Sequence, residues 1–183
     1  MVQDKRGRKI VVVAHCVLNQ NSRVLGIAYY RAMINEIVDV LRKCEVGVIQ
    51  MPCPELTYAG LLRWSQTKEQ YDTPAFRRHC RQFASHIADQ VEEYLRNGFK
   101  VLAILGVDGS PTCGVEETSV GYKGGYPPNV APIQEADFTK APGIFIEELQ
   151  SELKERKITV PMKGVRHTRA SQDAVWLEDI LTR

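Results

Sequence analysis

The sequence contains no Cys-x-x-Cys pair, no apolar run long enough to cross a bilayer and no excess of one charge sign. Each absence excludes something. Without paired cysteines at short spacing, a zinc ribbon or a thioredoxin-type redox site is not expected. The longest apolar runs are strand-sized, so no transmembrane helix is predicted. Lys and Arg number 24 against 22 Asp and Glu, a balance that argues against a dedicated DNA or membrane binder. Internal repeats and low-complexity linkers are also missing. The basic N-terminal stretch leads into only Ile10 to Ala14, too short for a signal-peptide core, and a cytoplasmic location is expected.

What is present fits one globular domain over 1–183, with 44% hydrophobic and 25% charged residues. Ile10 to Ala14, Val46 to Ile49 and Val101 to Leu105 read as strands, and Ile158 to Val160 as a short fourth. Phe76, Cys80, Phe83, Ile87, Val91 and Tyr94 trace one face of a long helix. Asp72 or Thr73 can cap it, Pro74 suits its first turn, and Asn97-Gly98 stops it. Further helices are expected around Tyr30 to Leu41, from about Gly143 to Arg156, and after a Ser171 cap. Alternating strands and helices predict an α/β fold: an open, mostly parallel sheet of about four strands, helices on both faces, Rossmann-like, in the order 2-1-3-4. Two long connections, about 54–72 and 114–142, follow strands and belong over the carboxyl edge of the sheet.

Five cysteines, an odd number, stand in a chain read as cytoplasmic, where disulfides are disfavoured. Cys80 lies on the apolar stripe of the long helix and Cys44 ends a helix; both read as structural. Cys16, Cys53 and Cys113 each follow a strand directly, in Ala14-His15-Cys16, Pro52-Cys53-Pro54-Glu55 and Ser110-Pro111-Thr112-Cys113-Gly114. Ligands of open parallel sheets bind beyond those strand ends, so three thiols are expected to converge there. Converging thiolates suit zinc or an iron–sulfur cluster, and three ligands leave one metal position open.

These motifs, spaced in order between residues 10 and 114, resemble the TudS-type thiouracil desulfidase family. The resemblance implies a compact α/β domain holding a [4Fe-4S] cluster on Cys16, Cys53 and Cys113. One open iron would then take sulfur from a thiolated nucleobase, which is replaced by water oxygen without net redox change. It further implies that Glu55 and Ser110 stand beside the cluster as catalytic residues. Ser22 occupies the place of a second family cysteine, Arg23 is kept, and Asn19 stands where glycine is usual, which marks a divergent branch. Asn19, Arg23, Tyr122 and Tyr126 are candidate contacts for a small thiolated substrate, as are Asn21 and Trp64. Loop packing is the bland alternative for the aromatics, and a solvated face for Lys163, Arg166, His167 and Arg169. Two other functions compete: a metal-free cysteine hydrolase or transferase using Cys16 or Cys113, and a non-catalytic nucleotide- or cluster-binding module.

Overall fold

The computed structural model describes residues 4–122 and 137–182. Its centre is a four-stranded sheet in the order β2-β1-β3-β6, formed by β1 (Lys9–Ala14), β2 (Gly47–Met51), β3 (Lys100–Val107) and β6 (Met162–Val165). Every pairing is parallel. Val11, Val12, Val13 and Ala14 are fully buried, as an unbroken β-branched run on a central strand requires. Helices surround the sheet: α5 (Pro74–Arg96) packs on α6 (Ile144–Glu155), and α2 (Asn35–Lys43) on α7 (Ala170–Thr182). The fold is the α/β architecture that alternating strands and helices predict. Among the described residues no helix is long and apolar enough to cross a membrane.

The long helix begins where its sequence says. The Thr73 side chain accepts from the Phe76 N–H at 3.2 Å, and Pro74 is the first helical residue. At its other end Gly98 takes φ +75°, the left-handed turn that glycine favours. Arg77 on this helix reaches Asp72 at 2.5 Å, Glu147 at 2.9 Å and Glu148 at 3.1 Å, fastening α6 to α5. The Arg77 hydrogen bonds hold the Asp72 carboxyl below its usual value. A carboxyl lowered in the folded state stabilises above its unfolded pKa and loses that contribution as pH falls through the folded one. Asp72→Asn is therefore expected to lower Tm slightly at pH 7. The difference should close as the pH is lowered through and below the ordinary aspartate range, which thermal melts of the two proteins would check.

Three expectations need correction. The fourth sheet strand is Met162–Val165, not Ile158 to Val160. The Ile158 N–H instead closes α6 by donating to the Leu153 carbonyl at 2.9 Å. Ser171 lies inside the last helix rather than capping it; Asp173 secures that end by accepting from the Arg166 N–H at 2.9 Å. The two long connections also carry structure of their own. The first holds α3 (Pro54–Ala59) and α4 (Lys68–Tyr71), the second β4 (Thr118–Val120) and β5 (Asp137–Thr139). The short helix α1 (His15–Leu18) follows β1 directly.

Candidate functional site

Three adjacent strands deliver the three cysteines to one end of the sheet. Cys16 follows β1 at the start of α1, and its carbonyl accepts from the buried Gln20 side chain at 2.6 Å. Cys53 follows β2 and caps α3, its sulfur accepting from the Leu56 N–H at 3.5 Å. Cys113 sits in the turn after β3. There the Ser110 hydroxyl oxygen accepts from the N–H groups of Thr112 at 3.2 Å and Cys113 at 3.0 Å. That turn folds tightly against its own strand: a Cβ at Gly106 would lie 2.2 Å from the Cys113 carbonyl oxygen.

All three thiols line one cavity of about 660 Å³. Burial pushes the Cys53 thiol up to about 12, with the Glu55 charge adding to it. Burial likewise raises Cys16, and raises Cys113 well above the ordinary thiol value. Without a cation the three are therefore neutral thiols at pH 7. A bound metal would displace their protons.

Among the described residues no three His, Cys, Asp or Glu side chains are grouped to hold a single ion. Neighbouring parallel strands lie about 4.8 Å apart, which spreads turns at the ends of β2, β1 and β3 across the site. Thiol donors of this kind suit zinc or an iron–sulfur cluster.

Glu55 lies one residue into α3, 8% exposed, and faces the same cavity. Its Oε1 accepts from the Thr112 hydroxyl at 2.6 Å and from Ser110 at 3.4 Å. Its Oε2 accepts from Arg63 Nε at 3.2 Å. Arg63 is itself buried. It spreads its remaining donors over the Ser22 carbonyl at 2.8 Å and the Gly60 carbonyl at 3.0 Å. Thr112 and Arg63 thus belong to the site, although the sequence reading assigned neither a role. Thr112 was legible from its place beside Cys113. Arg63 stands in a stretch without a motif and is recognisable only by the company it keeps.

The other candidates are distributed differently. Arg23 lines the cavity with its guanidinium 5.6 Å from the Tyr29 ring centre, and Tyr29 stacks on His167 at 3.5 Å. Asn19 supports its own turn, its Oδ1 accepting from the Asn21 N–H at 3.1 Å. Tyr122 and Trp64 are half-exposed and do not line the cavity. Tyr126 lies outside the described residues. The basic residues near the C-terminus are paired: Lys163 with Glu116 at 2.8 Å, Arg169 with Asp108 at 2.5 Å, and Arg166 with Glu117.

Comparison with known proteins bears on this arrangement. The profile of the family described as putative 2-thiouracil desulfurase matches residues 8–141, a span that contains all three cysteine turns and Glu55. The chain belongs to this desulfurase family. One relative is the uncharacterized protein MJ0003 of Methanocaldococcus jannaschii. It is 32% identical over 168 residues, which cover 92% of this chain and 91% of the relative. Among solved structures, a [4Fe-4S]-dependent thiouracil desulfidase TudS aligns with a TM-score of 0.45 and 18% identity. That alignment covers 92% of this chain and 97% of the other. The family is one of putative desulfidase-type enzymes.

Proposed function

We propose that the protein is an iron–sulfur-dependent desulfidase that exchanges the sulfur of a small thiolated heterocycle for the oxygen of water. The observation that carries this reading is the opening of Cys16, Cys53 and Cys113 into the cavity that also holds the buried Glu55 carboxylate. The overall change is thiocarbonyl plus water to carbonyl plus hydrogen sulfide: a C–O bond forms, the C–S bond breaks, and both protons of water leave with sulfur. No electrons are gained or lost.

Cys16, Cys53 and Cys113 would hold a [4Fe-4S] cluster, which supplies one iron without a protein ligand, a soft Lewis acid suited to thiocarbonyl sulfur. The chain's own residues handle the water. Glu55 takes a proton from it as general base, since its carboxylate faces the cavity two residues from a cluster ligand. Thr112 and Arg63 fix the two carboxylate oxygens from opposite sides. Ser110, 3.4 Å from Glu55, supplies a hydroxyl at the same place.

A metal-free cysteine nucleophile fits the same residues poorly. Reactive cysteines sit in electropositive surroundings that lower their pKa, whereas burial raises all three here. The nearest candidate base by sequence, His15, engages the Gln50 side chain.

The test is iron and acid-labile sulfide content after anaerobic reconstitution, with sulfide release from 2-thiouracil measured alongside. Wild type and Cys80→Ser are expected to carry about one cluster per chain, and Cys16→Ser, Cys53→Ser and Cys113→Ser none. A wild type without a cluster, or with a cluster and no sulfide released from any thiopyrimidine, overturns the reading.

A further inference from the structure

The cavity has a wall that the proposed chemistry does not use, the two-stranded ribbon of β4 and β5. Ser119 pairs opposite Phe138 in this antiparallel ladder, and opposite residues project from the same face. Both line the cavity. Thr118, one step earlier, is fully buried, and its hydroxyl donates to the Ser110 carbonyl at 3.1 Å. The Gly109 N–H donates to the Glu117 carbonyl at 2.9 Å. The ribbon is therefore fastened to the turn that carries Ser110 and Cys113.

Two features of this wall are unexplained by packing. Ser119 is 5% exposed, and its Oγ is buried without a hydrogen-bond partner. A buried hydroxyl left unpaired costs free energy, and this one is sealed from bulk water. Because Ser119 lines the cavity, a ligand held there can supply the missing partner. Phe138 is the reverse case: a ring 51% exposed although it belongs to a cavity wall. It lies against Gly109, where a Cβ would come within 3.1 Å of the ring. The Arg166 guanidinium, itself paired with Glu117, sits 4.9 Å from the ring centre. The ring is thus held in place with aromatic surface still uncovered.

We propose that Ser119 and Phe138 are specificity-determining residues that hold a planar heterocycle with a hydrogen-bonding edge, Phe138 by stacking and Ser119 by completing that edge. The identity of the heterocycle rests on the desulfidase reading; the wall itself does not depend on a cluster. An unpaired hydroxyl and a bare aromatic ring on one face select for a ligand with both a flat π-surface and a polar rim.

Calorimetric binding of 2-thiouracil and of thiobenzamide, a planar thioamide without a second polar edge, tests this on the protein as purified and after reconstitution. Ser119→Ala is expected to weaken 2-thiouracil about tenfold and thiobenzamide by less than about twofold. Phe138→Leu is expected to weaken both, by about fivefold or more. In the reconstituted enzyme Ser119→Ala should raise KM with kcat changed by less than about threefold. Melting curves of both variants verify folding. Unchanged affinity in Ser119→Ala, equal losses for the two ligands, or no binding by wild type overturns the proposal. Binding without sulfide release overturns the desulfidase reading and leaves the wall standing. Sulfide release with an unchanged KM in Ser119→Ala overturns the wall alone.

Discussion

Glu55→Gln is expected to lower kcat for sulfide release from 2-thiouracil by about 10²- to 10⁴-fold, with iron and acid-labile sulfide content unchanged. The amide matches the carboxylate in size, so the cavity keeps its shape, although Arg63 loses its charged partner and the variant is expected to be less stable. Thr112 can still donate to the amide oxygen, as it now donates to Oε1 at 2.6 Å. What disappears is the acceptor for the proton of water. The loss should fall on kcat rather than KM, because Glu55 is assigned to the proton and not to the heterocycle. Steady-state sulfide assays on protein of measured iron content decide the matter. A variant with wild-type kcat would move the base elsewhere and would suit a binding module that performs no chemistry on its ligand.

Arg63→Ala is expected to destabilise the fold by about 3–5 kcal/mol, the usual result of leaving one member of a buried ion pair alone. The pair lies deep, with side chains only 4% and 11% exposed. Arg63 also closes two carbonyl contacts, on Ser22 and Gly60, so its removal loosens two loops together. Arg63→Lys should recover little, since an ammonium cannot reproduce the three-way fork. Combining Arg63→Ala with Glu55→Gln should restore part of the stability, because the stranded charge is then gone. Urea unfolding of the four proteins gives the coupling between the two residues directly. Additive losses would mean that the 3.2 Å contact stabilises nothing.

The sheet, its order and the long helix were legible because their signals are local and redundant. β1 is an unbroken β-branched run, and α5 has its cap, first-turn proline and terminating Asn-Gly in sequence. The last strand was not legible in the same way. Met162–Val165 contains Lys163 and Gly164, weak strand formers. Gly164 is there for another reason, since a Cβ would collide with the Asp108 carboxylate. Nearby Ile158 and Val160 look more strand-like, yet Ile158 serves the helix exit. At the site the cysteines announced themselves by following strands. Arg63 and Ser119 did not, because an arginine in a loop and a serine in a short strand acquire meaning only through partners distant in sequence.

Every pairing in the main sheet is parallel, and that fixes a schedule for the living molecule. Parallel neighbours cannot zip as hairpins, so β1 waits for β2 and again for β3. Cys16 leaves the ribosome nearly a hundred residues ahead of Cys113. At ordinary synthesis speeds this delay is about 5–20 s. Through that interval the site lacks its third thiol and the turn that carries it. Any cofactor held by all three thiols can therefore be completed only after translation has passed the third.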